Sequence, residues 1–348
     1  MLVFLLKRIA MVPPMLFAVS VVAFLCLELV PGDAAQMAAG QLQDPETIAQ
    51  IREKWGLDED TSPVERYGMF LNNLLIQRDA RNFYTGEYIT EELFERFTAT
   101  AELALAAMLI AALIGVNLGI AAGRRPGSGT SAASLALAYG GISVPIFWLA
   151  ILSVGVFAVW LQVVPASGRL DASLLADFDP ITGFYLLDGL LKADMRILGS
   201  ALHHLILPAA VLATIPTAIV VRLTRASMIE ELQKDYVRTA RSKGLREDRV
   251  VRGHALKNAA IPILTATGAQ FGYLLTGAVL TETVFAWPGL GSYVVEAAKG
   301  QNGMALMGGI LLLGTIVVFV NLLVDVLYAV LDPRVRAGQH SRREGGTA

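Results

Sequence analysis

"DYVRTARSKGLREDRVVRGHALKNAAIP", residues 235–262, holds seven Lys or Arg against three acids in a chain that is otherwise strongly apolar. The segment reads as helical. Leu232, Tyr236 and Ala240 recur four residues apart, which puts them on one face of a helix over residues 226–243. Gly244 then stands where a left-handed helix cap is wanted, with Leu245 as its hydrophobic companion. Glu247 and Asp248 place negative charge at the positive end of a second helix. That helix continues through Val250, Val251, His254 and Ala255 to Pro262, where the next apolar run begins. Two helices meeting at a glycine corner make a protruding knuckle. A merely solvated basic loop needs neither the paired amphipathic helices nor the corner, so the pattern predicts a docking element for a partner protein.

The rest of the chain explains what the knuckle is mounted on. Of 348 residues, 55% are hydrophobic and only 17% charged, with a mean hydropathy of +0.56. A soluble chain carries about 25% charged residues, so lipid is expected to cover much of this one. The net charge of −2 argues against nucleic acid, whose binding depends on neutralising phosphates. The single cysteine, Cys26, lies in an apolar run and is expected only to pack; one cysteine makes neither a disulfide framework nor a metal cluster. A bilayer core needs roughly 20 apolar residues per helix. Six runs qualify, at residues 9–30, 98–123, 135–164, 204–221, 263–280 and 304–331. The first is too long for the h-region of a signal peptide and is expected to stay as a membrane helix.

Segments 1–8, 124–130, 222–257 and 334–348 hold 18 of the 28 Lys and Arg, whereas residues 31–97 carry 13 acids against 6 bases. The positive-inside rule puts the basic set in the cytoplasm. The expectation is an all-α membrane protein divided into an N-terminal membrane helix (1–30), an extracytoplasmic helical segment (31–97), a five-helix membrane core (98–331) containing the cytoplasmic loop 226–257, and a cytoplasmic tail (332–348). In the outer segment, Asp44-Pro45-Glu46 opens one helix that Gly56 stops, and Ser62-Pro63-Val64-Glu65 is a capping box for a second helix through Gln77.

Gly115, Gly119 and Gly123 repeat every four residues, and Gly268 pairs with Gly272, a spacing that lets membrane helices approach closely. Asn117, Gln270, Asn321 and Asp325 are polar groups within apolar runs, where such groups face an interior path or bond between helices. Asn321, Asp325 and Tyr328 share one helix face. Either role remains open for them. There is no Gly-x-x-x-x-Gly-Lys-Ser/Thr loop to cradle ATP phosphates, and neither Gly-x-Ser-x-Gly nor His-Glu-x-x-His occurs. His203 and His204 are adjacent, so a helix points them apart. The residues therefore give an enzyme reading little to stand on, and an ion-coupled secondary transporter using Asp325 and Glu102 is kept as the alternative.

Several blocks together resemble a known family. "RLTRASMIEELQKDYVRTARSKGLREDRVVRGHALKNAAIPILT" is similar to the coupling loop of peptide-type ABC importer permeases, the dipeptide, oligopeptide and nickel branch. "KRIAMVPPMLFAVSVVAFLCLELVPGD" resembles the family's first span, and "GISVPIFWLAILSVGVFAVWLQVVPASG", "TGFYLLDGLL", "HHLILPA", "LTETVFAWPGLG" and "NLLVDVLYAVLDPRVR" resemble its later blocks, in order. The resemblance implies a six-helix type I importer permease working by alternating access. It implies assembly with a second permease subunit, two ATPases that carry ATP and Mg, and an extracytoplasmic solute-binding protein; no cofactor is expected on this chain. By match, Tyr236, Ala240, Lys243 and Gly244 belong to the ATPase-facing motif and His254, Asn258 and Pro262 to its end, with Glu230, Asp235, Arg238 and Arg241 completing the coupling set. Glu282, Phe285, Pro288 and Gly289 match the outer-mouth motif, and Asn117, Gln270, Asn321 and Asp325 are the pathway candidates. Two outer blocks depart from the family. "QRDARNFYTGEY" keeps only Asp79 of a Gly-Asp-Leu-Gly-x-Ser block, and "QNGMAL" replaces Asp-Tyr-Pro before the last span. Both departures bear on substrate delivery.

Overall fold

The computed structural model describes residues 2–28, 35, 44–55, 61–72, 82, 85, 87–300 and 302–331. The Pro-Gly-Asp exit of the first span, the stop at Gly56, Asp79, Gln301 and the tail 332–348 lie outside them. Among the described residues the regular elements are helices. The long α1 (Leu2–Glu28) is followed by two short helices, α2 (Pro45–Trp55) and α3 (Pro63–Leu71). Both start at the predicted caps: Thr47 N–H donates to Asp44 Oδ2 at 3.2 Å, and Glu65 N–H to Ser62 Oγ at 3.3 Å. The described part of α3 runs to Leu71, and residues 73–77 of the expected helix lie outside the described residues. α3 lies on α1, where the Tyr67 ring meets Phe17 and Phe24 edge-on.

Helix α4 (Ile89–Arg124) is 36 residues long and touches most of the molecule. Next come α5 (Gly129–Ser143) and α6 (Ile146–Ser153), the latter continuing as a π-helical turn through Trp160. The sequence suggested one span over 135–164; the two helices instead meet at 98°. Pro145 causes the break. Its ring removes a helical N–H and pushes Val144 into extended backbone, as its φ of −97° and ψ of 126° record. Short helices α7 (Ala172–Leu175) and α8 (Tyr185–Leu191) lead to α9 (Met195–Leu212) and α10 (Thr214–Leu232). The expected span 204–221 therefore straddles a joint at Ala213. Pro216 lies in the first turn of α10, where its missing N–H would be unbonded in any case.

The expected helix 226–243 is also divided. α10 ends at Leu232, Lys234 is extended, and α11 (Asp235–Ser242) sets off afresh. Then α12 (Glu247–Arg249) passes through a π turn, Val250–Ala255, into α13 (Leu256–Gly277). Pro262 lies inside α13 rather than at its start. α14 (Val279–Val284), α15 (Leu290–Lys299) and α16 (Gly303–Leu331) complete the order. Among the described residues, four helices, α1, α4, α9 and α16, are long and apolar enough to cross a membrane, and a fifth span results if bent α5–α6 counts as one.

The glycine spacing does what close packing requires. A Cβ added at Gly115 or Gly123 would stand 2.8 Å from Val220 Cβ or Met228 Cβ of α10, and one at Gly119 would meet Thr224. On α13, a Cβ at Gly272 would lie 2.9 Å from Val320 of α16. The main core joins α4, α9, α15 and α16 through residues such as Leu103, Ala107, Leu212, Trp287 and Met307.

Candidate functional site

Two polar regions lie along α4, one at its C-terminal end and one in its N-terminal half. The first is the knuckle. α11 buries Val237 and Ala240 against Met228, Val250, Val251, Ala255 and Ile263, with Ile120 of α4 in the same cluster and Leu232, Tyr236 and Leu245 packed on it. The corner has the geometry anticipated from its glycine. Gly244 has φ +75°, its N–H donates to Arg241 O at 2.9 Å, and Leu245 N–H to Ala240 O at 3.4 Å. Those are the two bonds of a Schellman cap, with Leu245 supplying its apolar contact. Across the corner, Arg241 grips Glu247 with two bonds, at 2.7 and 3.1 Å. That hydrogen bonding holds the Glu247 carboxyl below its usual range. Asp248 ties the second arm to Arg124 at the end of α4, at 3.8 Å.

The apolar side being turned inward, the knuckle presents its charges outward. Glu230, Asp235, Arg238, Arg241, Lys243, Gly244, His254, Asn258 and Pro262 are all exposed, Tyr236 is half-buried and Ala240 buried. Exposed Lys243, Arg246, Arg249 and Lys257 make no ion pair among the described residues. The polar centre of the knuckle is Glu231, which is buried beside the exposed Glu230 and was not singled out from the sequence. Burial acts to raise its carboxyl, yet the hydrogen bonds from Lys234 and Tyr236 outweigh that and hold it below the usual range. The signal available was local: Lys234 stands one turn after Glu231, and Tyr236 two residues further on.

The second region gathers around residues 98–102 of α4. Glu282 is 0% exposed. Thr100 Oγ1 donates to its Oε1 at 2.6 Å and Ser292 N–H to its Oε2 at 2.9 Å, so the carboxylate caps the start of α15. Trp287 Nε1 donates to Ala99 O at 2.9 Å, and Leu290 N–H to Thr100 Oγ1 at 2.8 Å. One helical turn below, Glu102 Oε2 meets Arg169 Nη2 at 2.6 Å, the two side chains being 6% and 2% exposed. Its Oε1 accepts Leu186 N–H at 2.8 Å. The Arg169 guanidinium lies 3.7 Å from the centre of the Tyr185 ring, an electrostatic attraction that strengthens away from water. Glu282, Phe285 and Gly289 are therefore buried joints between segments, with Pro288 half-buried beside them.

The pathway candidates are dispersed. Asn117 is exposed on α4 and turns its amide back to Leu113 O at 2.7 Å. Gln270 is half-buried on α13, and Asn321 exposed on α16. Asp325 is paired with Arg8 of α1 at 2.9 Å. Both carboxylates of the ion-coupling alternative have a cationic partner within the chain, Glu102 in Arg169 and Asp325 in Arg8. The two histidines diverge: His203 Nε2 meets Val163 O at 2.8 Å and His204 Nδ1 meets Ser200 O at 2.9 Å.

The described residues form a bundle of apolar helices, several long enough to cross a membrane, that carries a basic knuckle anchored on a buried apolar cluster. Comparison with known proteins gives the family. Residues 115–337 match the "Binding-protein-dependent transport system inner membrane component" and residues 1–104 match the N-terminal membrane component of the same systems, and the chain belongs to that family of ABC importer permeases. It is 42% identical to the di/tripeptide transport permease DppB of Pseudomonas aeruginosa over 97% of this chain and 99% of that protein. The dipeptide permease DppB of Escherichia coli K12 is 40% identical over 97% and 99% of the two chains. The probable D,D-dipeptide permease DdpB of the same organism is 41% identical over 92% and 93%.

Proposed function

We propose that this chain is the pore subunit for short peptides, with the knuckle 226–257 as the element on which an ATPase acts. The observation that carries the docking role is the knuckle itself, whose apolar side is anchored in the bundle while unpaired cations and a left-handed glycine corner stand free at its tip. Peptides are favoured as cargo because relatives matching almost the whole chain are named for di- and tripeptides. ATP and Mg belong to partner subunits in this reading, since the chain has no phosphate-cradling loop. A second permease chain encloses the pathway with this one, and a binding protein delivers substrate from outside. The sixth span is α13, whose 22 residues rise about 33 Å, enough to cross a bilayer core of about 30 Å. Both termini and the knuckle then lie in the cytoplasm and residues 31–97 outside, as the Lys and Arg distribution requires.

The decisive experiment is Gly244→Val in the assembled transporter. A Cβ at Gly244 meets open space, so the substitution acts only through the left-handed backbone, at about 1–2 kcal/mol. The bundle should still insert at near-normal levels while uptake is lost. Uptake at the wild-type rate would reduce the corner to a linker. Orientation is checked separately with single cysteines at Gln43 and Ser242 in a Cys26→Ser background. An impermeant reagent on intact cells should label the first and spare the second.

A further inference from the structure

The bend between α10 and α11 has no continuous backbone ladder. Gln233 N–H and Lys234 N–H close the end of α10 on Glu230 O and Glu231 O at 3.3 and 3.2 Å, and Val237 N–H opens α11 on Lys234 O at 3.0 Å. Lys234 between them is extended, with φ −71° and ψ 150°. Side chains must therefore set the direction in which α11 leaves. The apolar cluster behind α11 fixes which face is buried, but burial is non-directional. A short hydrogen bond is directional, and one lies at this bend.

Glu231, 9% exposed, sits in the last turn of α10. The Tyr236 hydroxyl in the first turn of α11 donates to its Oε2 at 2.6 Å, and the Lys234 ammonium binds Oε1. A carboxylate and a phenol thus join the helix entering the knuckle to the helix forming its tip, and the Tyr236 ring packs on the apolar cluster that Ala259 and Ile263 of α13 share. Glu230 has no such place: it is exposed and reaches only Lys234, at 3.2 Å.

We infer that Glu231 and Tyr236 are a positioning pair, fixing the direction of α11 so that displacement of the knuckle is passed to α10. The pair acts through the knuckle and touches no substrate. It rests on the reading that an ATPase docks there. Because α10 lies along α4 at Gly115, Gly119 and Gly123, motion delivered through the pair reaches the helix that carries the second polar region.

The test uses the complete transporter with its ATPases and binding protein, in liposomes, and reads substrate imported per ATP hydrolysed. That ratio does not depend on how much protein folds. Tyr236→Phe leaves Glu231 Oε2 buried without its donor, whereas the double variant Glu231→Leu/Tyr236→Phe removes both partners, an exchange that is nearly neutral for a purely structural bond. For a positioning pair, both variants should lower the ratio by about tenfold, the factor a hydrogen bond to a charged group typically carries. Glu231→Gln, which keeps an acceptor for the hydroxyl, should recover most of it. A wild-type ratio in Tyr236→Phe, or one restored in the double variant, overturns the proposal. A cross-link from Ser242→Cys to the ATPase in a Cys26→Ser background reports docking independently. Its absence would sink the docking reading and this inference with it; its presence beside normal ratios would sink this inference alone.

Discussion

Glu282 and Arg241 both sit in networks of charged and polar groups, about 30 Å apart along α4, but the networks differ in where they end. Around Glu282 each bond stays within the chain and out of water, joining α4 to segments some 180 positions away, such as Thr100 to Glu282. Around Arg241 the polar bonds are local and exposed, Arg241 to Glu247 or Arg238 to Asp235, while an apolar cluster beneath holds the elements together. Buried polar bonds specify a unique arrangement and leave nothing to offer a partner. An apolar base under an exposed charged surface specifies a shape and keeps its charges available. The first region is built to hold this chain together, the second to be gripped.

If that contrast is right, substitutions in the buried region should cost stability, and those in the exposed region should cost function with little loss of stability. The largest effect is expected at Arg169→Met, which leaves Glu102 buried without its cation, a loss of about 3–5 kcal/mol. Thermal unfolding of the purified chain in detergent should show it, and adding Glu102→Gln should return part of the loss. A midpoint unchanged in the single variant would show that water reaches the pair and that the region is not closed. Gly119→Leu comes next. Its side chain has no room against Thr224, and overpacking of this kind costs about 1–3 kcal/mol. Because α10 carries the knuckle, reduced uptake should accompany the reduced midpoint; a change in midpoint alone would separate the two regions.

Ala286 should move the other way. It holds φ +45° beside Trp287, a region that costs a residue with a Cβ about 1–2 kcal/mol, so Ala286→Gly is expected to raise the unfolding midpoint, and a lowered midpoint would show that the turn is not strained. The smallest effect belongs to Arg241→Ala. Exposed pairs contribute about 0.2–1 kcal/mol and are screened by salt. Glu247 is depressed by this pair, so the contribution is present above the ordinary glutamate range near pH 4.3 and fades as pH falls through the lower folded value. Chemical denaturation at neutral and acid pH should show a small difference between wild type and variant that closes on acidification. A large difference at neutral pH would mean the knuckle depends on its surface charges after all.

The amino-acid sequence carried the helical class, the caps at Asp44 and Ser62, the close-packing glycine face of α4 and the left-handed corner at Gly244. Each follows from local geometry: a cap acts within one turn, a four-residue repeat marks one helix face, and only glycine enters positive φ without steric cost. Tertiary structure alone decided the partners of the charges. That Glu102 belongs to Arg169 and that Glu282 meets Thr100 depend on segments brought together from distant parts of the chain. Burial then selects which carboxylate keeps hydrogen-bond donors and which remains in water. The same holds for the joints at Ala213 and Lys234, whereas the break at Pro145 is a local one. An apolar run says that a segment can be buried, and the packing around it decides where the helix must bend to do so.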